Sequence, residues 1–199
     1  GQMVRLEAER RGLRQAATVL VMGDAGNWID PLNQRERLGD QRIVDYYHAA
    51  EHLHEAARAA MGGATPAATA LAEQMEEHLW AGAVDKVVRS LQAHAERLGP
   101  PQDSDAADHP RRVLAGTVGY FQRHGRHMDY ARYRANGWPI GSGVAESGVK
   151  LFNKRVKGTE QFWNLPQVES IMSLRAMWLS NDDRWQRYWN NRPAYTRAA

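Results

Sequence analysis

"QRIVDYYHAAEHLHEAARAA", residues 41–60, changes its period partway along. Arg42-Ile43-Val44-Asp45-Tyr46-Tyr47 is rich in β-branched and aromatic residues and reads as a strand over 41–47. From His48 the apolar positions recur at helical spacing until Gly62-Gly63 stops them. How far that strand runs, and how many partners it finds, decides between a sheet-based and a helical fold. Upstream, Ala17-Thr18-Val19-Leu20-Val21-Met22-Gly23 is another apolar run of strand length, ending at Asp24. Gly26, Pro31 and Gly39 suit a loop with a short helix between the two. Each strand therefore ends at or beside an aspartate.

Outward from this pair the chain reads as helical. Residues 3–16 suit a short helix ending near Gly12. Helices are expected over 49–60, 66–79, 84–98 and from Pro110 towards His127, with 99–108 as the clearest linker. Further helices are expected over 144–156 and 165–179. The expected organisation is α/β: strands within 1–48, an all-helical insertion over 49–135, and helices returning to the core over 136–199. A length of 199 residues, 43% hydrophobic and 25% charged, fits one folded domain carrying such an insertion.

The absence of cysteine excludes disulfides and thiolate metal sites, which leaves carboxylates and eight histidines as possible ligands. The net charge is +3 and the isoelectric point about 9.3. All but four of the 26 basic residues are arginine, whose planar fork suits phosphate oxygens. No apolar run approaches 18 residues and no basic-then-apolar leader is present, so neither a membrane span nor a secretory signal is expected. A cytoplasmic protein is the default expectation.

Asp24 and Glu146 are the candidate ligands for a divalent metal. Phosphoryl transfer by two magnesium ions needs hard oxygen ligands, and carboxylates at strand ends together with one from a helix supply them. The plainer alternative for Asp24 is a turn aspartate beside glycine. Asp45 and His48 form Asp-x-x-His at a helix start and read equally as a cap and a hydrogen-bonded histidine. His48 and His52, four apart, could join Asp45 around zinc. His124 and His127 read as surface residues.

Glu146 opens a helix that follows Gly141-Ser142-Gly143, and Lys150, Lys154 and Lys157 share its face, with Arg155 alongside. A Glu-to-Lys pair at i and i+4 is worth only about 0.2–0.5 kcal/mol. The alternative is a carboxylate at the head of a basic row that neutralises a DNA backbone. Tyr120, Phe121, Tyr130, Tyr133, Trp138, Phe162 and Trp163 read as core or as base-stacking residues, and Trp185 with Trp189 as a packing pair.

Five stretches, in order, resemble bacterial insertion-sequence transposases of the Kra family. They are Gly23-Asp24-Ala25-Gly26-Asn27-Trp28-Ile29, Ile43 to Leu53, Met128-Asp129-Tyr130, Trp138-Pro139-Ile140-Gly141-Ser142-Gly143-Val144-Ala145-Glu146, and Lys154 to Trp163. The resemblance implies a DDE transposase with an RNase H-like core, Mg²⁺ or Mn²⁺ as cofactor and a helical insertion before the glutamate-bearing helix. It implies that Asp24 is the second catalytic aspartate, Glu146 the third acid, and Asp45 and His48 the accompanying Asp-x-x-His motif. Lys150, Lys154, Arg155 and Lys157 would then position DNA phosphates.

It further implies transposon ends and target DNA as partners, a homo-oligomer, and a bacterial, nucleoid-associated location. The family's first aspartate lies on an earlier strand, for which residues 1–16 offer no substitute, so the expected core is partial. A DNA-binding remnant without strand chemistry, or a zinc hydrolase using His48 and His52, are the alternatives.

Overall fold

The computed structural model describes residues 1–157 and 162–192, with the side chain of Arg155 excepted. Two strands form, β1 (Leu20–Gly23) and β2 (Gln41–Val44), paired in parallel with Leu20 opposite Gln41 and Gly23 opposite Val44. The crossover between them carries α2 (Ile29–Glu36), and α1 (Gln2–Arg10) precedes β1. A helix thus fills the start of the chain.

Ala-rich amphipathic segments then build α3 (Tyr46–Ala60), α4 (Pro66–Trp80), α5 (Val84–Leu98) and α6 (Pro110–His124). Each packs on the next and α6 closes on α3, giving a four-helix bundle. Starts are fixed locally. The Thr65 hydroxyl accepts from the Ala68 N–H ahead of Pro66, and the His109 ring accepts from the Arg111 N–H ahead of Pro110. Fully buried Ala49, Ala56, Ala57 and Ala72 leave room for Leu53, Met75, Leu79, Leu91, Leu114 and Phe121 between the helices. The short α7 (Tyr130–Ala135) adds Tyr130 and Tyr133 to the same core, which includes Ile43 and Val44 of β2.

This corrects the expected α/β, RNase H-like architecture with a helical insertion. Among the described residues helices hold 66% and strands 4%, in a single two-stranded sheet. Two strands of four residues cannot bury a face by themselves and rely on packing against helices. Here the bundle supplies the core and the strand pair is an attachment to it. The expected strand over 41–47 stops at Val44 because the Asp45 side chain caps a helix that begins at Tyr46.

The chain divides into two compact units, Gly1–Ser142 and Gly143–Ala199. The second contains α8 (Gly143–Val156), α9 (Leu165–Leu179) and α10 (Arg184–Asn190). No described helix is long and apolar enough to cross a membrane.

Candidate functional site

Beyond the paired ends of β1 and β2 stand Asp24 and Asp45, and the fold uses them differently. Asp45 is 3% exposed. One carboxylate oxygen accepts from the backbone N–H of Tyr47 (2.8 Å) and of His48 (3.1 Å), and the other accepts from the Ser142 N–H at 2.5 Å. Burial pushes its carboxyl up, but the hydrogen bonds from Ser142, His48 and Tyr47 outweigh that and hold it below the usual aspartate value. Its own N–H donates to the Gly23 carbonyl at 2.9 Å and extends the ladder.

The glycine-rich turn before α8 is explained by the same residue. The Tyr46 N–H donates to the Ile140 carbonyl at 2.8 Å, and Gly141 lies against the Tyr47 ring, where a Cβ would come within 2.6 Å of Cε2. Gly141 and Ser142 are thus folded onto Asp45. The Asp-x-x-His spacing places His48 three residues into the capped helix, half-exposed, with its Nδ1 3.7 Å from the Glu51 carboxylate.

Asp24 is exposed. Among the described residues only the Gly26 N–H donates to its carboxylate, at 3.2 Å. Its backbone is pinned from below by Arg42, a residue the sequence presents only as one polar side chain in an apolar strand. Arg42 is 6% exposed and donates to the carbonyls of Asp24 (2.7 Å), Ile43 (2.6 Å) and Val21 (3.3 Å), and through Nε to Asp30 at 3.2 Å. Every guanidinium nitrogen is engaged within the fold, so this arginine is architectural and unavailable to a phosphate. A Cβ on Gly26 would lie 2.8 Å from the Trp28 indole nitrogen and 3.1 Å from Asp24 Oδ1, so glycine lets the exposed indole and the carboxylate stand side by side.

A file of rings runs from His48 to His124. His48 meets His52 at 4.9 Å, His52 meets Tyr120 at 4.4 Å, and Tyr120 meets His124 at 5.3 Å. Burial, with His48 adding to it, lowers the His52 value, and burial lowers that of His124 as well. His124 is buried, contrary to the surface position expected of it. Among the described residues no group of three or more histidines and carboxylates is placed to hold a metal, so Asp45, His48 and His52 do not assemble a zinc site.

Glu146 lies in the first turn of α8, in the second unit, exposed, with Lys150, Lys154 and Lys157 exposed further along. The side chain of Arg155 lies outside the described residues, as do residues 158–161 of the basic motif. Of the aromatic candidates, Tyr130 and Tyr133 are core, with Trp138 stacked on Tyr133 at 6.0 Å, while Phe162 is exposed. Trp185 and Trp189 pack edge to face at 5.4 Å, joined by Trp178 at 5.1 Å from Trp185.

No family model, curated protein or solved structure matches the chain. What the first unit offers chemically is one exposed carboxylate on a rigid base, beside an exposed indole. Elsewhere in the unit the buried Tyr120 hydroxyl, its ring held by His52, Phe121 and His124, has no hydrogen-bond partner among the described residues.

Proposed function

We propose that the chain takes part in DNA transposition, as part of an enzyme that cuts DNA and joins the freed end to a target with Mg²⁺ or Mn²⁺. The observation that carries this reading is the unequal use of the two strand-end aspartates. Asp45 is consumed by the backbone, whereas Asp24 is kept exposed while a buried arginine fixes its main chain. The Asp24 carboxylate makes the turn contact with the Gly26 N–H and is otherwise exposed on a main chain that Arg42 fixes, and preorganisation of this kind is what a metal ligand needs.

In this reading Asp24 and Glu146 are metal carboxylates, used with a further acid, and Lys150, Lys154 and Lys157 hold DNA phosphates. The cations, when bound, supply the charge that activates an attacking hydroxyl and stabilises the leaving oxygen. Asp45 with His48 holds the turn that leads into the glutamate helix. The partners are transposon ends and target DNA, acting on an oligomer of this chain.

A second reading, DNA binding without strand chemistry, is favoured by the lack of a three-acid group among the described residues. Affinity for a labelled duplex, measured with Mn²⁺ and with EDTA, separates the two. Transposition predicts tighter binding with Mn²⁺ and loss of that gain in Asp24→Asn and Glu146→Gln. Binding that neither Mn²⁺ nor these substitutions alter supports the second reading, and no DNA binding at all sinks both.

A further inference from the structure

A sheet of two strands has two outer edges, and the fold treats them differently. The carbonyls of Val19 and Gly23 accept from the N–H groups of Gln41 (3.2 Å) and Asp45 (2.9 Å), so the odd-numbered main-chain groups of β1 face β2. Those of Leu20 and Met22 therefore point to the other side. The outward carbonyls of β2 belong to Arg42 and Val44, and side chains close both. The Gln41 amide donates to the first at 2.8 Å and the Tyr130 hydroxyl to the second at 3.0 Å. On β1, no hydrogen bond among the described residues reaches the outward groups of Leu20 and Met22. The side chains of both pack on the core, so the strand cannot turn these groups elsewhere.

An open edge is a template for another strand, and folded proteins ordinarily blunt it with charge or proline. Val19-Leu20-Val21-Met22-Gly23 carries neither. One N–H and one C=O on each of Leu20 and Met22 make a self-complementary set. An antiparallel copy of the same edge, turned about a twofold at Val21, sets Leu20 opposite the partner's Met22 and pairs all four groups on each chain. Charge selects that direction. A parallel copy would set Asp24 beside the partner's Asp24, whereas the antiparallel copy sets it opposite the partner's Thr18, an exposed and neutral side chain.

We propose that the outer edge of β1 is a contact between two copies of this chain, which pair antiparallel and join their sheets into one of four strands. This supplies a contact for the oligomer in the reading above, but it stands on the strand edge and not on DNA chemistry. An edge of four residues makes a small interface, in the class below about 1,200 Å² that characterises weak encounters, so the dimer forms at high concentration and separates on dilution.

The test is sedimentation velocity of the whole chain from low micromolar to near-millimolar concentration, with amide hydrogen exchange followed by NMR at both ends of that range. The expected result is a monomer–dimer equilibrium in which the Leu20 and Met22 amides exchange freely when dilute and are protected when concentrated, while the Val21 amide, which faces β2, is protected throughout. Thr18→Asp sets like charges opposite each other at both ends of the shared ladder and should weaken the dimer about tenfold, and Thr18→Lys should tighten it. A chain that stays monomeric overturns the inference, as does a dimer whose Leu20 and Met22 amides exchange as fast as in the monomer, since another surface then holds it. Protection of both amides in the dilute monomer also overturns it, because the chain then covers its own edge. Equal affinities for the two Thr18 variants overturn the antiparallel pairing and the inference with it. None of these results bears on DNA or metal, so the proposed function stands or falls separately.

Discussion

Arg42 and Asp45 hold opposite sides of the strand ends, and each makes a separable prediction. Arg42→Met keeps much of the volume but removes the guanidinium donors to the Asp24, Ile43 and Val21 carbonyls and takes from Asp30 its nearest charged partner, leaving it Arg126 and His127 at 4.0 Å. Urea unfolding should show a loss of about 3 kcal/mol, the order seen when one member of a buried charged network is removed. Arg42→Lys should not restore it, since an ammonium cannot span that fork.

Asp45→Asn should cost about 2 kcal/mol at neutral pH, from one weakened helix cap and a weakened tie to Ser142. The folded carboxyl lies below its ordinary value of 3.8, so its contribution is present above that pH and is lost as pH falls through the folded value. The gap in stability between wild type and Asp45→Asn should therefore narrow as the pH is lowered from about 5 towards 3. The capping role of Asp45 is legible in the sequence, because Asp at a helix start is a local signal. That of Arg42 is not, because its acceptors lie on another strand and on the crossover.

At the scale of elements, the helices from 46 to 124 follow from patterning, with Thr65-Pro66 and His109-Pro110 marking two of their starts. The second strand is shorter than its composition suggests. Tyr46 and Tyr47 have strand-like side chains, but a capped helix nucleates at Asp45 and overrides that preference. The turn at Gly141 is a contact between distant elements. Gly141→Ala should destabilise by about 1 kcal/mol in the wild type, the modest end of overpacking costs since Tyr47 is 65% exposed and can give way. In a Tyr47→Ala background the same substitution should be close to neutral, and a double-mutant cycle measures the difference.

Across the whole molecule, all the buried hydrophobic residues among those described lie between Ile29 and Tyr133, within the first unit. Residues 1–142 expressed alone should therefore fold and melt near the main transition of the full chain, as followed by circular dichroism. An expectation of a sheet-based core fails here because two strands signal a sheet in sequence, while the number of strands that complete it is a property of the whole fold. The candidate acids are legible as residue types at spacings; that Asp24 alone of the strand-end pair stays exposed is not.

The lysine row makes its own whole-molecule prediction. Neutralising Lys150, Lys154 and Lys157 together should lower DNA affinity and flatten its dependence on salt by about 0.9 in the log–log slope for each phosphate that a lysine no longer neutralises.

The central claim is that Asp24 serves DNA chemistry while Asp45 serves the fold. It is tested most directly by Mn²⁺-dependent nicking of supercoiled plasmid by the wild type and Asp24→Asn, both checked for melting temperature. The account predicts nicking by the wild type and none by Asp24→Asn, at an unchanged melting temperature. Nicking that survives in Asp24→Asn, or an Asp24→Asn protein that unfolds as readily as Asp45→Asn, would contradict it.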